Sequence, residues 1–187
     1  MNPEHLALLQ QAPASTHADD TWARLCCEQA LLAVEEDCYA VGALLVDETG
    51  ELLCSGRNQV FTSAYASAAH AEMRVLDQLE SEHAQVDRRS LTLYVSLEPC
   101  LMCYGRILLA GITRVRYLAR DRDGGFALHH GRLPPAWANL ASGLAVVQAK
   151  ADPYWLDLAK QLIERLQDRQ AMRERVLAAW RGGRWKP

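Results

Sequence analysis

No uninterrupted apolar stretch in this 187-residue chain approaches the roughly 20 residues that a helix needs to cross a bilayer, so no membrane is expected among its partners. The N-terminus lacks the basic flank of a secretory signal, and its apolar patch, Leu6–Leu9, is too short for one. A cytoplasmic location is the expectation. An excess of positive charge is missing too. Twenty Lys and Arg stand against 23 Asp and Glu, a formal net charge of −3, which gives no global attraction to a phosphate backbone. Internal repeats and low-complexity segments are absent. Half of the chain is hydrophobic and 23% is charged, which excludes intrinsic disorder. The length suits one domain with at most an appendage.

What the chain does have is six cysteines: Cys26, Cys27, Cys38, Cys54, Cys100 and Cys103. Without an export signal, such a set points to buried thiols, a metal site or catalysis rather than to disulfides. Spacing has to decide among these.

The organisation reads as follows. Residues 1–18 are a polar lead, expected to be loosely ordered. Asp19-Asp20-Thr21 is a helix start, and Trp22–Glu36 is an amphipathic helix. Tyr39–Val46 and Glu51–Asn58 are strands joined at Asp47–Gly50, which makes a hairpin. His70–Glu82 is a helix, Leu91–Leu97 a strand, Cys100–Ala110 a helix after Pro99, and Thr113–Ala119 a strand. The connection from Ala119 to Leu144 is rich in turn residues. It is long enough to allow a parallel pairing with a fifth strand at Leu144–Ala149. From Pro153 to Trp180 runs one long amphipathic helical segment. The expected fold class is α/β, a three-layer α/β/α sandwich around a mixed five-stranded sheet. Residues 19–152 form the main domain, and residues 153–187 are a basic helix packed on it or on a partner.

Two short strings carry the chemistry: His70-Ala71-Glu72 and Pro99-Cys100-Leu101-Met102-Cys103. A chance His-x-Glu is expected roughly 0.4 times in this composition, but a chance Pro-Cys-x-x-Cys only about 0.007 times. Cys100 and Cys103 share one helical face in a first turn, where the helix dipole favours thiolate. With His70 they offer three zinc ligands and leave a fourth position for water, as in a catalytic site. A closed structural site would need a fourth ligand, for which Cys54 is the candidate. Glu72, two residues from a ligand, is placed to take a proton from water on the metal; a plain dipole-stabilising carboxylate at a helix start is the alternative.

His-x-Glu followed by Pro-Cys-x-x-Cys is the signature of zinc deaminases, and from about Trp22 to the last helix the chain resembles the cytidine-deaminase-like superfamily. Tyr94–Cys103 with Ala119-Arg120-Asp121 looks most like the branch that holds guanine deaminases and tRNA adenosine deaminases. The resemblance implies one Zn2+ per chain on His70, Cys100 and Cys103. It also implies hydrolysis of a ring amino group to a carbonyl with release of ammonia, Glu72 moving the protons. Asn58 matches the asparagine that bonds substrate, and Ala71, Glu98 and Asp121 are counted with it around the substrate. Asn58 is equally placed as a turn residue, Glu98 to hold the turn into the cysteine helix, and Asp121 to anchor a loop. His129 and His130 are read as loop residues. A homodimer is expected by resemblance.

The substrate is the open question. The tRNA deaminases usually carry Asp-Pro-Thr or a close variant before this His-x-Glu string, whereas this chain has Ala66-Ser67-Ala68. Residues 161–187 carry a net charge of +4 and residues 1–160 carry −7. An acidic body suits RNA poorly, although the tail (Arg165, Arg169, Arg173, Arg175, Arg181, Arg184, Lys186) has the charge to touch it. A small nucleobase or nucleoside is preferred, with guanine first. The tRNA wobble adenosine comes second. An inactive deaminase-like subunit comes third and is disfavoured by the presence of Glu72.

Overall fold

The computed structural model describes residues 1–164 and 168–182, apart from the side chains of His130 and Arg169. Strands β1 (Gly42–Val46), β2 (Leu52–Arg57), β3 (Thr92–Leu97), β4 (Arg114–Ala119) and β5 (Ala145–Gln148) form one sheet in the order β2-β1-β3-β4-β5. β1 pairs antiparallel with β2 and β3, while β3–β4 and β4–β5 are parallel. This is the expected mixed five-stranded sheet. The β1–β2 turn closes on Asp47, whose Oδ1 accepts from the backbone N–H groups of Thr49 and Glu51, and Gly50 supplies the positive φ of 85°.

Alternation along the strands builds two cores. Ala43, Leu45, Leu93 and Val95 face α3 (Ala71–Glu82) and α4 (Leu101–Leu109), where Val75, Leu76, Leu79 and Ile107 meet them. Leu44, Val46, Tyr94 and Leu118 face α2 (Asp20–Glu35) and α6 (Pro153–Glu164), against Ala23, Leu31, Trp155 and Leu158. Helices therefore cover both faces. The α2 layer lies so close to β1 that a Cβ on Gly42 would stand 2.3 Å from the Cys26 carbonyl oxygen.

Three expectations need correcting. Residues 1–18 are not a loose lead: α1 (Pro3–Gln10) starts at Asn2, whose Oδ1 accepts from His5 N–H, and buries Leu9 against α2 and α6. The Leu6–Leu9 patch is too short to show a helical period, but Pro3 in the first turn is a start signal. Next, the connection from β4 to β5 is not all loop. It contains a 3-10 turn at Ala127–Arg132 and the seven-residue helix α5 (Pro135–Ala141), again too short for periodicity to reveal. Finally, the segment after Pro153 is two helices. α7 (Arg169–Trp180) begins afresh at Asp168, whose carboxylate accepts from Gln170 and Ala171 N–H. Of the basic tail, Arg165, Arg184 and Lys186 lie outside the described residues.

Asp19 occupies the N-cap position of α2 without capping it through its side chain. Its carboxylate instead accepts from Tyr94 Oη at 2.8 Å and Lys150 N–H at 2.6 Å. Asp20 accepts from the N–H groups of Thr16, His17 and Asp152 at 2.6–2.8 Å. These two buried carboxylates tie the N-terminal segment and residues 150–152 to the start of α2.

Candidate metal centre and catalytic cavity

The topology brings several chain ends to one edge of the sheet. β3 and β4 run parallel and end there; β1, antiparallel to β3, begins there; and β2 ends there. Ligands of open α/β sheets bind at such carboxyl ends of parallel strands. α3 and α4 both start at this edge, with His70 and Cys100 as their N-cap residues in extended conformation, neither making a side-chain cap. Two positive helix ends thus converge on the same space.

His70 Nδ1 stands 3.7 Å from Cys100 Sγ and 3.5 Å from Cys103 Sγ. All three donor atoms lie within 4.8 Å of one another. Donors bound at 2.0–2.3 Å to one tetrahedral zinc stand about 3.6 Å apart, so the separations fit the ion. Among the described residues no other carboxylate, thiol or imidazole joins this group. Cys54 is buried in the core under α3 instead and stands outside this group. Cys26, Cys27 and Cys38 are likewise buried free thiols in the cores.

The electrostatics favour a cation. The Cys100 thiol is pushed down to about 4, first by the hydrogen bond from Cys103 and, against the effect of burial, by His70. Cys103 is raised correspondingly, because it keeps the proton that bonds its neighbour. The pair holds one thiolate and one proton that a metal ion would displace. For His70, burial works against the charge, but the hydrogen bond and charge of Cys100 outweigh it and raise the imidazole. Glu72, only 3% exposed, is held above the usual carboxylate range by burial, with the Cys100 charge adding to the shift. It is therefore suited to carry a proton.

These groups open on a cavity of about 570 Å³ that Asn58, His70, Glu72, Glu98, Cys100 and Asp121 all line. Asn58 is 2% exposed, and its Oδ1 accepts from Val60 N–H, which leaves the amide NH2 without a hydrogen bond among the described residues. Glu98 uses both oxygens on the following loop: Oε1 accepts from Ala127 N–H at 2.9 Å and Oε2 from Asp121 N–H at 3.2 Å. Asp121 accepts from the N–H groups of Asp123 and Gly124 through Oδ1, a turn within its own loop. The loop packs so tightly that a Cβ on Gly125 would stand 2.5 Å from both the Asp121 carbonyl oxygen and Glu98 Cδ. Ala71 differs from expectation: its methyl group is buried between α3 and the sheet and takes no part in the cavity wall. His129 packs on the Phe126 ring, 5.5 Å between centroids, away from the cavity lining.

Sequence reasoning missed the rest of the wall. Tyr39, Tyr65 and Ser67 line it from the loops, Ile163 from α6, and Met172, Arg173 and Val176 from α7. The spacing of Met172 and Val176, i and i+4 on either side of the charged run Arg173-Glu174-Arg175 of α7, was the available signal.

An α/β sandwich with a His-Cys-Cys donor set and an adjoining buried glutamate defines a class of zinc-site proteins. Residues 16–119 match the family model of the cytidine and deoxycytidylate deaminase zinc-binding region, and the chain belongs to that family. It is 35% identical over 107 residues to the tRNA-specific adenosine deaminase of Bacillus subtilis (strain 168), a match covering 57% of this chain and 65% of that protein. The chain thus spans just under two thirds of that relative's length. A solved structure from work on A-to-I editing by tRNA:A34 deaminases superposes with a TM-score of 0.56 at 30% identity, over 62% of this chain and 89% of the other. The guanine deaminase from Nitrosomonas europaea superposes with a TM-score of 0.61 at 23% identity, over 87% of this chain and 93% of the other; that likeness is one of fold.

Proposed function

We propose that the protein is a zinc-dependent hydrolytic deaminase that replaces the amino group of a small heterocyclic base or nucleoside by a carbonyl, with guanine its leading substrate. The observation that carries the small-molecule reading is the wall that α7 adds to the cavity. Met172, Arg173 and Val176 of α7, with Ile163 of α6, line the same space as His70, Glu72 and Cys100. At about 570 Å³ the space is of the size that takes small ligands. The acidic body of the chain supports the same reading.

His70, Cys100 and Cys103 would hold the zinc ion, which supplies Lewis acidity and brings the pKa of water to about 7. Glu72 would take one proton from the attacking water and pass it to a ring nitrogen, then carry the second, from the hydroxyl left on the ring carbon, to the amino group as the C–N bond breaks and ammonia leaves. The free amide NH2 of Asn58 donates to an acceptor on the ring. Glu98 and Asp121 position the loop at the rim through their hydrogen bonds to its N–H groups. Exposed Leu101, Met102 and Leu109 on α4 provide an apolar face for the homodimer that the resemblance implies.

Deamination of a tRNA wobble adenosine is the second reading, favoured by the 35% identity to a tRNA-specific adenosine deaminase. An ammonia-release screen over guanine, cytosine, adenine, their nucleosides and a tRNA anticodon stem-loop separates the two. Guanine turnover by protein holding about one zinc per chain is expected. Turnover of the stem-loop alone would overturn the small-molecule reading, and folded, metal-free, inactive protein would overturn the enzyme itself.

A further inference from the structure

Arg173 is the single Lys or Arg among the described residues that line the cavity, and it makes no hydrogen bond or ion pair with any of them. Its neighbours do the work of holding α7 down. Met172 is buried against Val60 and Phe61, and Val176 packs beside it. Arg175 stacks 4.1 Å above the Phe61 ring and donates to the Asp37 carbonyl. At the far end of the helix, Trp180 Nε1 donates to Tyr65 Oη at 3.2 Å. A helix fastened at these points presents the Arg173 guanidinium to the cavity without requiring anything of it.

Two acids of the cavity wall already have backbone donors of their own. Glu98 is satisfied by Asp121 and Ala127 N–H, and Asp121 by Asp123 and Gly124 N–H. The cation is left for a ligand.

We infer that Arg173 determines specificity by reading the O6/N7 edge of guanine; this deepens the guanine reading above and rests on it. A guanidinium is a planar fork of donors, and guanine sets two acceptors, O6 and N7, side by side to meet it. Adenine places its N6 amino donor beside N7 and turns one arm of the fork away. The geometry of the base agrees with this placement. The C2 amino group and the O6/N7 edge lie on opposite sides of the purine. A guanine seated with C2 toward His70, Cys100 and Glu72 therefore turns that edge toward a wall built from other elements. α7 is such a wall, and Tyr39, Tyr65 and Met172 around it reduce the water competing for the contact.

The test compares guanine with 7-deazaguanine, which lacks the N7 acceptor, in the wild type, Arg173→Ala and Arg173→Lys. Arg173→Ala is expected to lower kcat/KM for guanine about 10–100-fold, mainly through KM, and to abolish the preference over 7-deazaguanine. Arg173→Lys keeps the charge but loses the fork, and is expected to restore only a small part. Zinc content and melting temperature should not change, since Arg173 is exposed and has no hydrogen bond or ion pair among the described residues. An equal loss on both substrates, or none, overturns the inference while leaving guanine deamination standing. A loss confined to guanosine monophosphate, with guanine unaffected, also overturns it and assigns the guanidinium to a phosphate. A wild type that releases ammonia from other substrates but not from guanine overturns the inference together with the reading beneath it.

Discussion

The cavity has two walls of different construction. On one side, His70, Glu72 and Cys100 stand at the starts of α3 and α4, with Cys103 buried behind them and the helices packed on the central strands. Their polar atoms bond to one another. On the other side, α7 is attached by a few side chains: Met172, Val176, the stacked Arg175 and the Trp180–Tyr65 bond. The first wall is fixed by the same core that fixes the sheet, and it holds the groups that need precise placement. The second wall is an accessory whose loss would leave the core intact. The proposed chemistry thus falls on the wall built into the core and the proposed substrate selection on the lightly fastened one.

Substitutions on the first wall should therefore act on turnover, and those on the second on substrate affinity. Glu72→Gln should give the largest effect, lowering ammonia release about 1,000-fold or more while zinc, measured by elemental analysis, stays near one per chain. An active Glu72→Gln would remove the distinction between the walls. Glu98→Gln comes next. It turns an acceptor of one buried and one part-buried N–H group into one with a donor of its own, at a cost of about 1–3 kcal/mol. Faster amide exchange over residues 121–127 and reduced turnover with zinc retained are expected; an unchanged loop would show that Glu98 does not hold it.

Met172→Ala tests the second wall. Removing this buried side chain costs about 2 kcal/mol, felt as opening of α7 rather than as global unfolding. KM should rise several-fold with kcat and zinc unchanged, and amide exchange should speed up within Arg169–Trp180 alone. A matching fall in global stability would mean that α7 belongs to the core after all.

Asp20→Asn has the smallest effect on activity, since it touches neither wall. Burial alone would raise Asp20, but the N–H groups of Asp152, His17 and Thr16 outweigh it and hold the carboxyl below its ordinary value. A depressed carboxyl contributes stability that is fully present above the unfolded value, about 3.9, and lost as the pH falls through the folded one. The variant should melt lower at pH 7, by about 1–2 kcal/mol of stability, and the difference should vanish in acid. A gap that persists at low pH would assign the effect to packing rather than to charge.

Legibility in the sequence follows the same division. The strands could be read from apolar, β-rich runs bounded by turn residues, α2 and α3 from their apolar period, α4 from Pro99 ahead of it, and the donor set because Pro-Cys-x-x-Cys is so improbable by chance. α1 and α5 span fewer than three turns, too few for a period to emerge. The break at Asp168 was hidden because an Asp inside a polar helix and an Asp that caps one look alike until the N–H groups of Gln170 and Ala171 are seen to turn to it. The side chain of Ala71 faces the core: neighbours on a helix point about 100° apart, so a residue between His70 and Glu72 can turn its methyl group away from the cavity.

The sequence by itself determined the residue types and spacings of the metal donors, the glutamate beside them and the alternating helices and strands, because these are local patterns with fixed periods. Only the tertiary structure decided that Asp121 and Glu98 serve the loop, and that the tail supplies Met172, Arg173 and Val176 to a site laid down more than 70 residues earlier at Cys100. No local period encodes which distant segment closes a cavity. That depends on how α6 seats on α2 and where α7 then finds Phe61. The cysteine spacing marks the metal site, while the wall facing it comes from a helix whose place in the cavity no local pattern announces.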